Sequence, residues 1–167
     1  MQEWLVVDGY NIIGAWPELQ ALKRFNFGLA REKLVEVLEE YAAYSGKYVI
    51  VVFDAHLIRG QAQLETHTHC TVVYTEAGET ADECIERLVG EAGGRRVFVA
   101  TSDYTEQRIA FGRGALRISA RELLEMVVDA KRRVREQTRE MKQERMTLGH
   151  DLTEEVRREL ERIRREH

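Results

Sequence analysis

Four short apolar runs in the first hundred residues limit the folds that are open to this chain. They cover Trp4–Val7, Tyr48–Phe53, Thr71–Tyr74 and Val97–Ala100. Each run is continuous rather than alternating between apolar and polar residues, and each is rich in valine, isoleucine or aromatic side chains. Strands that are buried on both faces have this pattern, and they occur in parallel sheets covered by helices. The runs therefore predict a parallel β-sheet between two helical layers.

Amphipathic stretches lie between these runs. Phe27–Tyr44 and Thr80–Ala92 carry apolar residues at helical spacing. A shorter helix is predicted after Asp103, and a fifth strand is predicted at Ala115–Ile118. Ser119, followed three residues later by a glutamate, has the pattern of a capping box at the start of a long helix. The residues of that helix predicted to face inward are Leu123, Leu124, Val127 and Val128.

Strand and helix alternation predicts a three-layer α/β sandwich with a five-stranded, mainly parallel sheet and right-handed crossovers. We assign this domain to residues 1–135. Residues 136–167 are densely charged and are interpreted as a helical C-terminal extension. Leu148-Gly149 is predicted to break this extension, so that a last helix covers Asp151–Glu166 with Thr153 as a possible N-cap.

The charge balance differs between the two parts of the chain. The formal net charge is −4. Residues 1–120 hold 12 basic against 17 acidic residues, whereas residues 121–167 hold 13 against 12. This balance argues against a generic basic nucleic-acid coat, but carboxylates that hold metal ions would add to the acidic count. It also predicts weak binding to free RNA with a shallow salt dependence.

Cysteine usage and the N-terminus indicate a cytoplasmic protein. Cys70 and Cys84 form neither a paired framework nor a CxxC motif, which suits a reducing compartment. The first apolar run is too short for a signal peptide or a membrane span. The sequence does not indicate an oligomeric state.

Acidic residues follow each of the first four predicted strands. Asp8, Asp54 and Asp103 come after strands one, two and four. Ligand sites in open α/β sheets lie beyond the carboxyl ends of the strands, so these side chains should meet at one edge. Crowded carboxylates repel one another unless a cation lies between them, and oxygen ligands favour Mg²⁺ or Mn²⁺. Between strand three and the next helix lie Glu76, Glu79, Asp82 and Glu83.

Each of these residues also has a structural interpretation. Any single aspartate after a strand can cap the following helix. Asn11 can bind a metal or a phosphate oxygen, or can stabilise a turn. Thr101 and Ser102 offer hydroxyl groups to the same edge. The metal-site prediction therefore depends on the coincidence of the acids and not on any one of them.

The strings LVVDGYNIIGAW, VVFDAH, ETADE and VATSDYTEQ, in this order, resemble the YacP-like branch of the NYN family of PIN-like nucleases. The resemblance covers about residues 1–135 and implies a metal-dependent endoribonuclease that acts on mRNA in association with the ribosome. Asp8, Asp82 and Asp103 match the acidic core of the family and would be its metal ligands. Asn11 and Asp54 match flanking positions, while Glu79 and Ser102 are accessory candidates.

The chemistry expected of such a site is in-line displacement at phosphorus, assisted by two cations. No side-chain nucleophile is indicated, because the chain has no GxSxG motif and neither cysteine has a histidine partner in sequence. His56 is interpreted as a structural residue. Trp16 could stack on a base or pack in the core. The other candidate RNA contacts are Arg59, Arg108, Arg113, Arg117 and Arg121 for phosphates, and Tyr10 and Tyr104 for unpaired bases.

Other classes of protein fit less well. A phospho-receiver domain needs a lysine after strand five, where this chain reads LRISAREL. A haloacid-dehalogenase-type phosphatase needs an acid at position 10, which is Tyr10. A non-catalytic RNA- or ribosome-binding module with a PIN-like fold is the remaining alternative, and a cleavage assay with divalent ions separates it from a nuclease.

Overall fold

The computed structural model describes residues 1–55, 64–103, 108, 112 and 114–165. The chain forms two compact units, Met1–Ala130 and Lys131–His167, each of which is described by itself. A domain boundary at residue 135 stays a prediction. No helix of the described residues combines the length and the apolar character that crossing a membrane requires.

The first unit is built on a six-stranded sheet with the order β3-β4-β2-β1-β5-β6. All neighbouring strands pair in parallel except β3, which is antiparallel to β4. The α/β sandwich with a mainly parallel sheet is confirmed. The strands are β1 (Trp4–Asp8), β2 (Tyr48–Phe53), β3 (Leu64–Thr66), β4 (Cys70–Tyr74), β5 (Val97–Ala100) and β6 (Leu116–Ile118). The helices are α1 (Gly9–Ala15), α2 (Pro17–Phe25), α3 (Phe27–Ser45), α4 (Ala81–Glu91) and α5 (Ala120–Arg165).

Helices cover both faces of the sheet, and successive residues of β1 contribute to opposite sides. Leu5 and Val7 belong to the core on one face, together with α1, α3 and the first turns of α5. Val6 belongs to the core on the other face, together with α4. All three side chains are fully buried. Each contributes roughly 1.5–3 kcal/mol to folding through the burial of apolar surface, which explains why the run is continuously apolar.

Local signals set the ends of the long helices. Asn26 accepts hydrogen bonds from two backbone N–H groups in the first turn of α3, and Gly46 ends that helix in the left-handed conformation. Thr80 and Glu83 form a reciprocal capping box at the start of α4. At the start of α5, Ser119 and Glu122 exchange the same pair of hydrogen bonds, as predicted.

Three elements were missing from the sequence prediction. β3 was not foreseen because it has only three residues, and all of them are exposed. α1 and α2 were not foreseen because both are short, and neither N-cap side chain makes a capping hydrogen bond. The helix predicted to follow Asp103 falls largely outside the described residues.

Three predictions about the C-terminal helix are wrong. α5 continues through Gly149, since a single glycine costs only about 1 kcal/mol in a helix interior. Thr153 is not an N-cap, because its hydroxyl donates to the carbonyl of Gly149 within the helix. Val128 is 57% exposed, so it does not belong to the buried face that Leu123 and Val127 form.

The close approach of Gly9 to Phe53 gives the first testable prediction. A Cβ atom at Gly9 would overlap the ring of Phe53, which is fully buried. We expect Gly9→Ala to lower the free energy of unfolding by about 1–3 kcal/mol, because overpacking forces neighbouring groups off their favoured positions. Urea unfolding would measure the change.

Gly14→Ala is the matched control, because Gly14 lies in the same helix and nothing lies within 4 Å of its added Cβ. This variant should keep or slightly raise the stability, since alanine favours a helix more than glycine does. Equal stabilities of the two variants would contradict the packing argument.

Candidate active site

The carboxyl edge of the sheet gathers the polar residues that follow its strands. Asp8 is the last residue of β1 and lies opposite Val52 of β2. Val7 lies opposite Ala100 of β5, which brings Asp8 beside Thr101. On the other side, the hydroxyl of Thr75 after β4 accepts a hydrogen bond at 3.0 Å from the backbone N–H that follows Asp54. Parallel pairing thus places the ends of four strands along one edge.

Asp8 holds the N-cap position of α1, yet its side chain makes no capping hydrogen bond. Its carboxylate instead accepts a hydrogen bond at 3.5 Å from the hydroxyl of Thr101. The residue is only 8% exposed. A buried carboxylate that does not serve the adjacent helix is costly for folding alone. The capping interpretation of Asp8 is therefore wrong for its side chain.

Thr101 connects the segments of two candidate acids. Its side-chain oxygen donates to Asp8 and accepts a hydrogen bond at 3.0 Å from the backbone N–H of Asp103. Thr101 is fully buried, so its rotamer is restricted by packing as well as by these two bonds. The hydroxyl thereby holds the start of the Asp103 segment against the end of β1.

Asn11, which lies in α1, also contacts the segment that follows β5. Its side-chain oxygen accepts a hydrogen bond at 2.6 Å from the backbone N–H of Ser102. The hydroxyl of Ser102 in turn accepts one at 3.4 Å from the backbone N–H of Ala120. Asn11 lies within α1, so its interpretation as a turn residue is wrong.

Trp16 is buried in the core, and its indole N–H donates to the carbonyl of Ala120 at 2.8 Å.

The acidic residues before and in the first turn of α4 have different hydrogen-bond partners. Glu83 belongs to the capping box with Thr80. Glu79 accepts two hydrogen bonds from Arg87, at 3.1 and 3.2 Å, and one from the backbone N–H of Glu76 at 3.2 Å. Asp82 also lies in the first turn and is half-buried. A shared site for Asp82, Asp8 and Asp103 stays a prediction.

Sequence reasoning missed two residues beside the edge. Thr75 is buried and accepts the hydrogen bond described above, and its signal was a hydroxyl directly after a strand. Arg31 donates to the hydroxyl of Tyr10 at 3.4 Å. Nothing in the sequence distinguishes Arg31 from the other charged residues of α3.

The candidate RNA contacts differ in their surroundings. The ring of Tyr10 packs against Phe27 and Phe53, with centroids 5.8 and 5.1 Å away. Burial raises the pKa of its hydroxyl, and Arg31 opposes that shift. Arg108, Arg117 and Arg121 are exposed. His56, Arg59, Tyr104 and Arg113 lie outside the described residues. Their contacts with RNA stay predictions.

The chemistry of the donor groups suits a hard divalent cation. The edge offers carboxylate, carboxamide and hydroxyl oxygens, which are the ligands that Mg²⁺ and Mn²⁺ prefer. Across residues 1–55, 64–103, 108, 112 and 114–165, no three acidic, histidine or cysteine side chains are gathered closely enough to hold an ion. Asp8, Asp82 and Asp103 therefore remain proposed ligands.

Neither thiol suits soft-metal binding or nucleophilic attack. Burial raises the pKa of Cys70 to about 12, and nearby Glu39 adds to the shift. Burial likewise raises the pKa of Cys84 to about 11. Because only the thiolate is reactive, both residues are inert at neutral pH.

The Thr101 bridge gives the second prediction. Thr101→Val removes the hydroxyl, so the buried carboxylate of Asp8 loses a donor and the N–H of Asp103 loses an acceptor. We expect the free energy of unfolding to fall by roughly 1–3 kcal/mol, the usual cost of leaving such groups unpaired. Thr101→Ser keeps the hydroxyl and should retain most of the stability. Urea titration of the three proteins measures this, and a serine variant as unstable as the valine variant would refute the bridge.

Comparisons with known proteins bear on the family and the fold of the chain. The profile of the YacP-like NYN domain matches residues 5–165. A Bacillus subtilis protein named "Uncharacterized protein YacP" is 47% identical over 163 residues, which cover 96% of each chain. The crystal structure of Rae1 (YacP) from Bacillus subtilis superimposes with a TM-score of 0.74, covering 96% of this chain and 94% of that one. A mutant form of the same protein gives 0.73 over 84% of each chain, and the identity is 47% in both cases.

These matches confirm the resemblance carried by the DGYN, ETADE and TSDYTEQ motifs. The family model spans nearly the whole chain and includes every strand of the sheet. The chain belongs to the YacP-like NYN domain family of PIN-like nucleases.

Proposed function

We propose that this protein is a metal-dependent endoribonuclease whose reaction takes place at the carboxyl edge of the sheet. The observation that carries the proposal is the hydroxyl of Thr101, which joins the buried carboxylate of Asp8 to the backbone of Asp103. Two candidate acids from different strands are thus linked through one residue. The bond between Thr101 and Asp103 is a local turn contact, but a helix cap does not account for the bond to Asp8, whereas a ligand site that needs a fixed carboxylate does.

In this proposal, Asp8, Asp82 and Asp103 hold divalent cations, Mg²⁺ or Mn²⁺. Bound there, such ions would supply Lewis-acid activation of the phosphodiester and a water of lowered pKa. The side chains of the protein orient these ligands. Thr101 restrains one carboxylate oxygen of Asp8, and Asn11 fixes the backbone of Ser102 directly before Asp103. Asp54, Glu79 and Ser102 are proposed as accessory residues at the same edge.

The proposed substrate is RNA, which follows from the family. Arg108 and Arg117 are exposed and are proposed to contact phosphates. Arg59, Arg113, Tyr10 and Tyr104 complete the proposed RNA contacts. The alternative function, a non-catalytic RNA- or ribosome-binding module, predicts binding without cleavage, so the next experiment separates the two.

The third prediction concerns the acids themselves. Asp8→Asn and Asp82→Asn should each abolish cleavage of a test RNA in Mg²⁺ or Mn²⁺ while the fold is kept. Without metal, thermal melting in chelator should show equal or greater stability, because each substitution removes one charge from the edge at which the carboxylates are proposed to converge. Gel analysis of the products and melting curves are the two measurements.

Glu40→Gln is the matched control, since Glu40 is an exposed acid on α3 that has no part in the proposed site. This variant should cleave as the unaltered protein does. Cleavage by Asp8→Asn at the normal rate would disprove the proposed site. A large loss of stability in chelator would instead indicate that the acids are structural.

We further propose that cleavage is efficient only on mRNA engaged by the ribosome. The family resemblance suggests this association, and residues 1–120, which carry the proposed site, hold 12 basic against 17 acidic residues and so offer no net attraction for free RNA. A large ribonucleoprotein would add many weak contacts and raise the effective concentration of the message.

The fourth prediction tests this dependence with one transcript in a translation mixture. Cleavage should be strong when the transcript is translated and weak when its start codon is removed, because only the first is presented by the ribosome. Asp8→Asn protein in the same mixture controls for contaminating nucleases. Equal cleavage at the same positions with and without translation would contradict ribosome dependence and would leave a nuclease of free RNA.

A further inference from the structure

The second compact unit distributes its charge unevenly along its length. Residues 131–145 hold seven basic and three acidic residues, although residues 121–167 together hold 13 and 12. Residues 131–145 all lie in α5, and every residue from 132 to 153 is exposed. The excess of positive charge is therefore confined to one exposed stretch of helix.

Five of the seven basic residues share one face of the helix, whereas Arg132 and Arg133 lie outside it, Arg133 on the side of the acids. At about 100° of rotation per residue, the members of one basic set fall within roughly 120° of the helix circumference and extend over about 21 Å. The three acids of the stretch fall in an arc of about 80° on another side. The basic set, named here the basic stripe, consists of Lys131, Arg135, Arg139, Lys142 and Arg145. The acids are Glu136, Glu140 and Glu144.

The basic stripe is not neutralised by its own helix. The Arg–Glu pairs along α5 join Arg121 to Glu125, Arg158 to Glu154, and Arg162 to Glu159, all outside the stripe. Within the part of the chain that the structure describes, no stripe residue forms an ion pair. Five like charges spaced about one helical turn apart repel one another, and a polyanion that runs along the helix would relieve this repulsion.

The stretch has no aromatic rings, and this favours a paired over an unpaired nucleic acid as its polyanionic ligand. Binding of unpaired nucleic acid relies on aromatic side chains on which the bases stack. Residues 131–165 contain no phenylalanine, tyrosine or tryptophan. A straight row of cations without stacking groups suits a regular array of phosphates, as in a double helix. We propose that the basic stripe binds the phosphate backbone of double-helical RNA.

Only the choice of RNA as the ligand draws on the proposed function. The stripe would position RNA rather than read its sequence, since phosphate contacts carry no base information. The proposal also differs from the expectation drawn from composition. A balanced total charge predicts a shallow salt dependence, whereas a segregated stripe adds up to five phosphate contacts, each of which steepens the slope of log K against log salt by roughly 0.7–0.9.

The test measures binding to a labelled RNA hairpin, whose stem is longer than the stripe, by fluorescence anisotropy over a range of salt. The full chain carries Asp8→Asn, and chelator is present, so that no cleavage occurs. The test variant adds Arg135→Gln, Arg139→Gln and Lys142→Gln, which remove three charges but keep good helix formers. We expect at least tenfold weaker binding at low salt and a slope shallower by about two to three.

Arg158→Gln, Arg162→Gln and Arg165→Gln in the same background form the matched control. They remove the same charge from the same helix, on a different face and further along. This variant should keep its affinity within about twofold and keep its salt slope, and circular dichroism should show equal helix content in all three proteins. Equal weakening of both variants would mean that net charge alone determines the affinity for RNA. Unchanged binding by the test variant would exclude RNA as the ligand of the basic stripe. Either result overturns the proposal.

A single-stranded RNA of the same length gives the last comparison. We expect the three stripe substitutions to weaken its binding much less than that of the hairpin. An equal loss on both RNAs would refute the preference for the double helix. Because binding is measured without metal or cleavage, this result is independent of the outcome of the nuclease assay.

Discussion

The central strand β1 is the constraint on which the site depends. It pairs in parallel with β2 on one side and with β5 on the other, and the side chains of Leu5, Val6 and Val7 are completely buried. A strand held in this way cannot shift its register by one residue without moving apolar side chains to the wrong layer. The position of Asp8 at its carboxyl end, beside Thr101, is therefore determined by the core and not by a flexible loop.

Much of the sheet could be predicted from the sequence because burial on both faces imposes continuous apolar runs. The strand β3 could not be predicted, because an exposed edge strand of three residues carries no such apolar pattern. The break predicted at Gly149 was wrong for a related reason. Glycine weakens a helix only modestly, and the positions around Gly149 otherwise favour one. Patterns that arise from burial were informative, as was the capping box at Ser119, whereas the single glycine at position 149 was not.

The edge at which the site is proposed follows from the strand order, but the contacts of its side chains do not follow from the sequence. Topology alone brings the residues after parallel strands to one edge, which accounts for Asp8, Asp54 and Asp103. Side-chain partners depend on distances that the sequence does not contain. Glu79 matches an accessory position, but its carboxylate is bound by Arg87 from the next turns of α4. Arg31 reaches Tyr10 across 21 residues of sequence for reasons of packing.

A nuclease of this kind must reconcile an acidic site with a polyanionic substrate. Cations would neutralise the carboxylates locally, but that does not attract RNA from a distance, because the first 120 residues carry five more acids than bases. Attraction has to come from positive charge that the carboxylates do not cancel, and at physiological salt charges interact only over about 8 Å. Basic residues on a stretch of helix that is separate from the site meet this condition. If the same residues lay among the acids of the site, they would form ion pairs with them. In the proposed scheme, the separation of the basic stripe from the acidic edge along the chain would allow one small protein both to hold cations and to bind phosphates.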